Sequence, residues 1–214
     1  MRDAAALAAE GAPHGTVVVA EEQTAGIGRH GHSWHSAPRD GLYMSMVLRL
    51  HEASPILTMS LGLAVQRAVD DLAGVASDLR WPNDVLLNER KLAGIMVQAA
   101  EDALIAGIGV NVNQRGFPED LAAIATSLRI ETGREHSNDS LLERIVAEVL
   151  RHAALRKADV LRQFEARSTY VRGKSVEVEG RIHGITAGLN PDGFLLVKTA
   201  SGTETILAGG VRAL

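Results

Sequence analysis

One lysine in this sequence stands where it could hold an anion. Lys91 opens an apolar run, residues 92–99, that has the composition of a buried strand. A buried ammonium group is costly unless an anion pairs with it, so this position predicts an anionic partner. The alternative is that Lys91 is a solvated turn residue like its neighbour Arg90, and its position alone favours that simpler interpretation.

A second group of polar residues comes shortly before this run. Trp81 and Pro82 are followed by Asn83 and Asp84. A residue before proline is pushed toward an extended backbone, so the tetrapeptide predicts a turn. The side chains of Asn83 and Asp84 are then placed to bond either the local backbone or a ligand.

The third candidate is a glycine-rich loop. Residues 26–31 match G-x-G-x-x-G, but a strand rather than a helix is predicted after them, which excludes a Rossmann dinucleotide site. Glycines let backbone N–H groups approach an anion, and Arg29 could hold a carboxylate or phosphate with two hydrogen bonds. A surface loop without a ligand, in which Trp34 is only an apolar staple, explains the same residues.

Glycines also interrupt the run at 107–113, Gly-Ile-Gly-Val-Asn-Val-Asn. A glycine in a strand marks either the close approach of a ligand or another backbone, or a β-bulge. Both alternatives stay open at this point.

The composition limits the class of protein. Of the 214 residues 46% are hydrophobic and 22% charged, the formal net charge is -4, and no block of Lys and Arg is present. This balance is typical of a soluble globular protein and argues against a nucleic-acid partner. The absence of cysteine excludes a disulfide framework and a thiolate nucleophile. Because there is neither a membrane-length apolar run nor a signal-peptide core, a cytoplasmic location without a membrane partner is predicted.

Hydrophobic periodicity predicts the elements that must position these candidates. Helices are predicted at 3–10, 55–73 and 139–167. Residues 21–36 are predicted to form a long loop. Strands are predicted at 16–20 (buried), 41–50, 79–81, 84–87, 92–99 and 104–110.

The character of the sequence changes near residues 170–173. Five short β-rich runs follow, separated by turns such as Asn-Pro-Asp-Gly and Ser-Gly. This pattern predicts a small β-barrel. The expected organisation is one domain over residues 1–170 and a second over 173–214.

Taken in order, the motifs resemble those of the biotin protein ligases, the biotin–[acetyl-CoA-carboxylase] ligase family. Each motif alone is weak, whereas the ordered set is specific and covers most of residues 3–170. The resemblance implies an α+β fold, with a mixed-sheet catalytic domain of the biotin/lipoate ligase type followed by an SH3-like barrel. The residues that carry it are Glu22-Gln23-Thr24-Ala25-Gly26, Gly28-Arg29, Gly31, Ser33-Trp34, Gly41-Leu42-Tyr43, Trp81-Pro82-Asn83-Asp84, Arg90-Lys91-Leu92-Ala93-Gly94-Ile95 and Gly109-Val110-Asn111-Val112-Asn113.

The resemblance also implies roles for individual residues. The catalytic residues would be Lys91, which would bind the biotin carboxylate together with the α-phosphate of ATP, and Arg29. Mg²⁺ would accompany ATP, held by phosphates and water rather than by protein side chains. The implied biotin-binding residues are Gln23, Gly26, Ile27, Gly28, Arg29, Trp34, Lys91, Gly94 and Gly107. The implied ATP-binding residues are Arg29, His32, Asn83, Asp84, Lys91 and Asn111.

The sequence departs from the family pattern in the loop and at its start. The usual loop is G-R-G-R-x-G-R, whereas this chain has Ile27 in place of the first arginine and His32 in place of the last. Whether His30 or His32 takes over from these arginines is left open. The family also begins with a strand that carries a Ser-Thr-Asn/Gln segment, which this sequence lacks. That difference predicts either a start placed too late or an incomplete biotin pocket.

The implied activity is ATP-dependent formation of biotinyl-5′-AMP and transfer of biotin to a lysine of a biotin carboxyl carrier protein. No helix-turn-helix region precedes the domain, so no repressor function is expected, and the family suggests a homodimer. One alternative is a lipoate or octanoyl ligase, although its usual Arg-Arg-x-Ser-Gly-Gly-Gly loop is missing. The other is a non-catalytic biotin- or adenylate-binding protein, suggested by the missing strand.

Overall fold

The larger part of the fold is a six-stranded sheet with helices on both faces. The computed structural model of the chain describes residues 1–28, 31, 33–50 and 54–214. Its elements up to residue 167 are α1 (Arg2–Ala9), β1 (Val17–Ala20), β2 (Gly41–Leu48), α2 (Pro55–Ala73), β3 (Asp78–Arg80), β4 (Asp84–Leu87), β5 (Arg90–Ala100), β6 (Ala103–Asn111), α3 (Glu119–Ala122), α4 (Leu128–Thr132), α5 (Asn138–Ala153) and α6 (Lys157–Arg167).

The strands follow the order β1-β2-β6-β5-β4-β3, and every neighbouring pair is antiparallel. All residues of β2 are buried, and the strand pairs along its whole length with β6, so β2 lies in the interior of the sheet. The prediction that residues 16–20 form a buried strand is wrong in one respect. β1 is an edge strand, and Val19 on it is 48% exposed.

The two faces of this sheet differ in the size of their side chains. Successive residues of a strand point to opposite faces, and the even-numbered residues of β6 belong to the main core with α2 and α5. On the other face, α1 packs against Val47 and Ile105. The next positions of β6 on that face are Gly107 and Gly109. Together with Gly94 on β5, they form a part of the sheet without side chains, the glycine floor.

The helix α2 begins and ends where the sequence predicts. Ser54 caps it by accepting a hydrogen bond from the N–H of Leu57, and Pro55 occupies the first helical position. Gly74 ends it in a left-handed conformation that suits glycine. The apolar residues of α2 pack on the even-numbered face of the sheet, so the glycines of β6 lie on the opposite face, the one on which α1 packs.

The prediction of a single helix over 139–167 is wrong. α5 ends at Ala153 and α6 begins at Lys157, with a turn in which the Leu155 N–H bonds to the His152 carbonyl. The break lets the chain reverse, so that both helices pack against α2.

The C-terminal part of the chain forms a second antiparallel sheet, which confirms the five predicted strands and the α+β class. Its end strands are not paired with each other in the described part of the chain, so closure into a barrel is not confirmed. Its strands are β7 (Arg172–Val178), β8 (Ile182–Leu189), β9 (Leu195–Thr199), β10 (Gly202–Ile206) and β11 (Val211–Ala213), in the order β10-β9-β8-β7-β11.

One buried hydrogen bond links the two sheets. The indole N–H of Trp81, in the turn before β4, donates to the carbonyl of Gly193 at 2.9 Å. Gly193 lies in the turn between β8 and β9, so the C-terminal sheet contacts the turn that leads into β4. Among the described helices, none combines the length and apolar character needed to cross a bilayer.

Candidate functional site

Lys91 lies on the sheet face that carries the glycines, and a β-bulge places it there. Val85 pairs with Ala93 but Leu86 pairs with Lys91, so β5 has one extra residue between these pairs. Simple alternation would put Lys91 and Gly94, three residues apart, on opposite faces. The bulge returns Lys91 to the face of Gly94, where a Cβ atom would lie 3.2 Å from Lys91 Cε and 3.3 Å from Nζ.

The ammonium of Lys91 is paired with the carboxylate of Asp84, and Arg80 holds the other side of that carboxylate. Lys91 Nζ lies 2.7 Å from Oδ1 of Asp84. The guanidinium of Arg80 donates to Oδ2 from Nη2 at 2.7 Å and from Nε at 3.2 Å. Burial alone would raise the pKa of Asp84, but Lys91 and Arg80 outweigh it and hold that pKa below its ordinary value. Asp84 is therefore ionised, with one cation on each oxygen.

The indole of Trp34 lies over two glycines of the sheet. Gly94 and Gly109 face each other across β5 and β6. A Cβ on Gly109 would lie 2.8 Å from Cε2 of Trp34, and one on Gly94 would lie 3.1 Å from Cζ3, so the ring needs both glycines. Lys91 Nζ lies 5.3 Å from the ring centroid, within the range of a cation–π interaction. The Trp34 indole N–H is buried and has no acceptor among the described residues.

Trp34 is presented by a narrow hairpin within the loop over 21–36. Ile27 and Ser33 form an isolated antiparallel bridge, and the N–H of Trp34 donates to the carbonyl of Gly26 at 2.9 Å. The side chain of Ile27 is exposed, so it contributes no wall to the group around Lys91.

The base of this hairpin leaves no room for a side chain at Gly26. A Cβ there would lie 2.5 Å from the carbonyl oxygen of Trp34 and 2.8 Å from Oε1 of Gln23. The hydroxyl of Ser36 donates to the same Gln23 oxygen at 3.1 Å. Gln23 is thereby oriented by Ser36, two residues after Trp34.

Two asparagines that were predicted to contact the nucleotide are bonded within the protein. The amide of Asn83 donates to the carbonyl of Ile95 at 3.1 Å, and the Ile95 N–H donates back to the Asn83 carbonyl at 2.9 Å. Asn111 is 3% exposed, and its amide lies 3.4 Å from the carbonyl of Lys91. These side chains hold the backbone of β5 at Lys91 and at Ile95, and contact with a nucleotide remains a prediction.

The structure brings together most of the predicted site residues. Gly107 lies beside them on the same face, where a Cβ would meet Sδ of Met1 at 2.6 Å. Gly26, Ile27 and Gly28 lie in the hairpin, and Gln23 precedes it. Arg29, His30 and His32 lie outside the described residues. The predicted residues gathered around the glycine floor are Trp34, Asn83, Asp84, Lys91, Gly94 and Asn111.

Two residues of this group are absent from the predicted set of site residues. Gly109 carries the indole, and its signal was the spacing of two from Gly107, which puts both on one face of a strand. Arg80 directly precedes Trp81, and no periodicity relates it to Asp84, because the two lie on either side of a turn and pair across β3 and β4. Sequence reasoning had no means of finding that contact.

The group has one positive charge in excess, because Arg80 and Lys91 face a single carboxylate. It could hold an anionic group beside a flat apolar surface, the indole of Trp34, which rests on the glycine floor. It offers no free carboxylate for a cation. Within the described ranges there is no cluster of three or more His, Asp or Glu residues that could hold a metal ion.

Comparison with known proteins identifies two family matches along the chain. Residues 5–114 match the sequence model of the biotin/lipoate A/B protein ligase family. Residues 172–211 match that of the biotin protein ligase C terminal domain. The first match contains the hairpin, Lys91 and the glycine floor, and the second coincides with the C-terminal sheet.

Individual relatives cover nearly the whole chain. A biotin–[acetyl-CoA-carboxylase] ligase of Mycobacterium tuberculosis is 34% identical over 227 residues, covering 98% of this chain and 83% of the relative. The bifunctional ligase/repressor BirA of Bacillus subtilis is 33% identical, covering 96% of this chain and 68% of the relative. A solved structure of the biotin protein ligase from Aquifex aeolicus in complex with biotin and ATP is 32% identical, with a TM-score of 0.87 over 94% of this chain and 90% of that one.

Proposed function

This chain belongs to the biotin/lipoate A/B protein ligase family, and we propose that it is a biotin protein ligase that activates biotin with ATP and transfers it to a carrier protein. The relatives and structural neighbours named as biotin ligases support this activity. The observation that carries it in this chain is Lys91, held by Asp84 on the glycine-floored face beneath Trp34.

The first chemical step joins two anions. A carboxylate oxygen of biotin attacks the α-phosphorus of ATP, the bond to the bridging oxygen breaks, and pyrophosphate leaves. Lys91 would neutralise the carboxylate and the α-phosphate together and hold them in line, which is the main contribution a protein can make to such a reaction. We assign Arg29 to the same task by family resemblance.

The second step needs no nucleophile from the enzyme. The neutral amine of a carrier lysine attacks the carbonyl carbon of biotinyl-5′-AMP, AMP leaves with the electron pair of the broken anhydride bond, and the amine loses a proton to solvent. The hairpin that carries Trp34 would keep water away from the anhydride between the two steps.

The binding roles of the remaining residues belong to the proposal. The ring system of biotin would lie near the glycine floor, and the nucleotide would lie toward the β4 turn. The biotin-contacting residues would be Gln23, Gly26, Ile27, Gly28, Arg29, Trp34, Lys91, Gly94 and Gly107, with Ile27 contributing its backbone because its side chain is exposed. The residues of the nucleotide site would be Arg29, His32, Asn83, Asp84, Lys91 and Asn111, of which Asn83, Asp84 and Asn111 would act through Lys91 and the backbone of its strand.

Mg²⁺ is proposed as the companion of ATP. The nearest carboxylate to Lys91 is that of Asp84, and two cations of the chain already occupy both its oxygens. The ion would therefore be held by phosphate oxygens and water, as is usual for Mg²⁺ on a nucleotide. The carrier is proposed to be a biotin carboxyl carrier protein, in keeping with the acetyl-CoA-carboxylase named in two relatives. A homodimer, a cytoplasmic location and the lack of a nucleic-acid partner remain predictions.

Exchange of labelled pyrophosphate into ATP tests the first step. We expect exchange that requires biotin and is not supported by lipoate or octanoate at the same concentration. A biotin carrier domain should then accept one biotin, and the same domain with its acceptor lysine changed to arginine should accept none. Exchange with lipoate or octanoate in place of biotin would support the lipoate ligase alternative, and biotin binding without exchange would support a non-catalytic binding protein.

A further inference from the structure

Arg80 has no role in the mechanism above, although it is bound to the residue that holds Lys91. Among the described residues, its guanidinium donates to Oδ2 of Asp84, through Nη2 at 2.7 Å and Nε at 3.2 Å. Lys91 pairs with the other oxygen of this carboxylate, Oδ1, at 2.7 Å. The three side chains are largely sheltered, with 22%, 12% and 31% of Arg80, Asp84 and Lys91 exposed. Their charges therefore interact more strongly than those of a pair in open solvent.

The sum of the charges of Arg80, Asp84 and Lys91 indicates what Arg80 contributes. A carboxylate and an ammonium alone would form a neutral pair, in which Asp84 competes with any incoming anion for Lys91. Arg80 adds a second cation to the same carboxylate, so the group as a whole carries one positive charge. Asp84 can then orient Lys91 without cancelling its attraction for a substrate anion.

We propose that Arg80 is a positioning residue. It binds one oxygen of the Asp84 carboxylate and balances its charge, and thereby leaves Lys91 free to bind the substrate carboxylate and α-phosphate. This inference rests on the proposed ligase activity and deepens it. Arg80 acts through Asp84 and touches no substrate. Its effect should therefore be on the apparent affinity for the anionic substrates, and it should depend on the charge at residues 80 and 84 rather than on side-chain volume.

The first test compares Arg80→Lys with Arg80→Gln by biotin-dependent pyrophosphate exchange. Arg80→Gln removes the charge and should raise the KM for biotin and ATP by about tenfold, which is the effect of a single favourable charge contact. Arg80→Lys keeps the charge and should stay within about threefold of the parent, because the loss of the fork geometry costs less than the loss of the charge. Equal KM values for Arg80→Gln and the parent would overturn the proposal.

The second test asks whether adding Asp84→Asn to Arg80→Gln raises or lowers the affinity for biotin. In Arg80→Gln, the charged Asp84 would hold Lys91 in a neutral pair, and Asp84→Asn in that background should release it. The double variant should therefore bind biotin more tightly than Arg80→Gln alone in a calorimetric titration. A merely structural role for Arg80 predicts the opposite, since removing a second buried partner would weaken the site further. A double variant that binds biotin no better than Arg80→Gln would count against the proposal.

A matched control is available on α2. Arg67 and Asp71 form another arginine–aspartate pair four residues apart, at 2.8 Å, with side chains 47% and 46% exposed. Arg67→Gln should leave both KM values unchanged. Thermal unfolding identifies variants that lose the fold, and the binding comparison of the double variant with Arg80→Gln requires only folded protein. If the parent itself shows no biotin-dependent exchange, the proposed function fails; if the parent is active and Arg80→Gln equals it, only this inference fails.

Discussion

A single ammonium group is expected to account for most of the activation chemistry, so Lys91→Ala is the most direct test at the scale of one residue. Removing a charge contact that is formed in the transition state should raise the barrier to adenylate formation by on the order of 3 kcal/mol. The rate of adenylate formation should therefore fall more than a hundredfold. Asp84 would also lose one of its two cationic partners, so the variant should be compared with the parent by thermal unfolding. Lys198→Ala, at an exposed residue of β9, is the matched control and should exchange pyrophosphate normally. Near-normal exchange by Lys91→Ala would remove the assignment.

A second prediction concerns the glycine floor, to which a substitution can add a single methyl group. In Gly109→Ala the new Cβ would lie 2.8 Å from Trp34 Cε2, so the indole must move off the sheet. Such overpacking typically costs about 1–3 kcal/mol, and biotin affinity measured by calorimetry should fall with it. Gly116→Ala, where nothing lies within 4 Å of the added atom, is the control and should bind biotin like the parent. Unchanged biotin affinity in Gly109→Ala would show that the contact of the indole with Gly109 has no part in biotin binding.

The same two regions show what could be predicted for single residues. Lys91, Asp84 and Gly94 could be singled out because their types suit anion binding and close approach. Their mutual contacts could not, because they depend on a bulge in β5 that shifts the register by one residue. Nothing in the types of residues 90–94 signals that extra residue, so the ion pair becomes visible only once the pairing of β4 and β5 is known.

Among the elements, the best predictions are those in which local signals agree. α2 has a serine cap, a proline at its first position and a glycine at its end, and its bounds are those predicted. The helix predicted over 139–167 has continuous helical spacing, but its break at residues 154–156 serves packing against α2, which is a tertiary contact. The short helices α3 and α4 were not predicted, since four or five residues carry little periodicity.

The contact between the two sheets can be tested with the same substitution at two tryptophans. Trp81→Phe removes the indole N–H that donates to the buried carbonyl of Gly193 and should lower the free energy of unfolding by about 1–3 kcal/mol. Trp34→Phe removes an N–H that has no acceptor among the described residues, so it should destabilise the unliganded protein less. Urea unfolding measures both. Equal destabilisation would mean that the Trp81 bond does not hold the C-terminal sheet to the β4 turn.

For the whole molecule, the distribution of charge matters more than its sum. The chain has a formal net charge of -4, yet the group around Lys91 has one positive charge in excess. Surface charges are screened over about 10 Å at ordinary ionic strength, so the acidic surface influences the site weakly, whereas the sheltered cations act at contact distance. The whole-chain balance argues against polyanion binding and is compatible with a local site for two small anions.

The stability of the whole molecule should fall on mild acidification, because two buried histidines resist protonation. Burial lowers the pKa of His136, assisted by the nearby charge of Arg134, and burial likewise lowers the pKa of His152. When the folded pKa lies below the unfolded value, the unfolded chain binds protons first, so stability is present above about pH 6.5 and is lost as the pH falls below it. The carboxyl of Asp84 also has a lowered pKa, but it contributes only near and below the ordinary carboxyl range.

The urea midpoint should therefore decrease between about pH 7.5 and about pH 5.5, and less steeply in the His136→Gln, His152→Gln double variant. His183→Gln, at an exposed position of β8, should follow the parent. A double variant whose midpoint falls as steeply as that of the parent would assign the acid sensitivity to other groups.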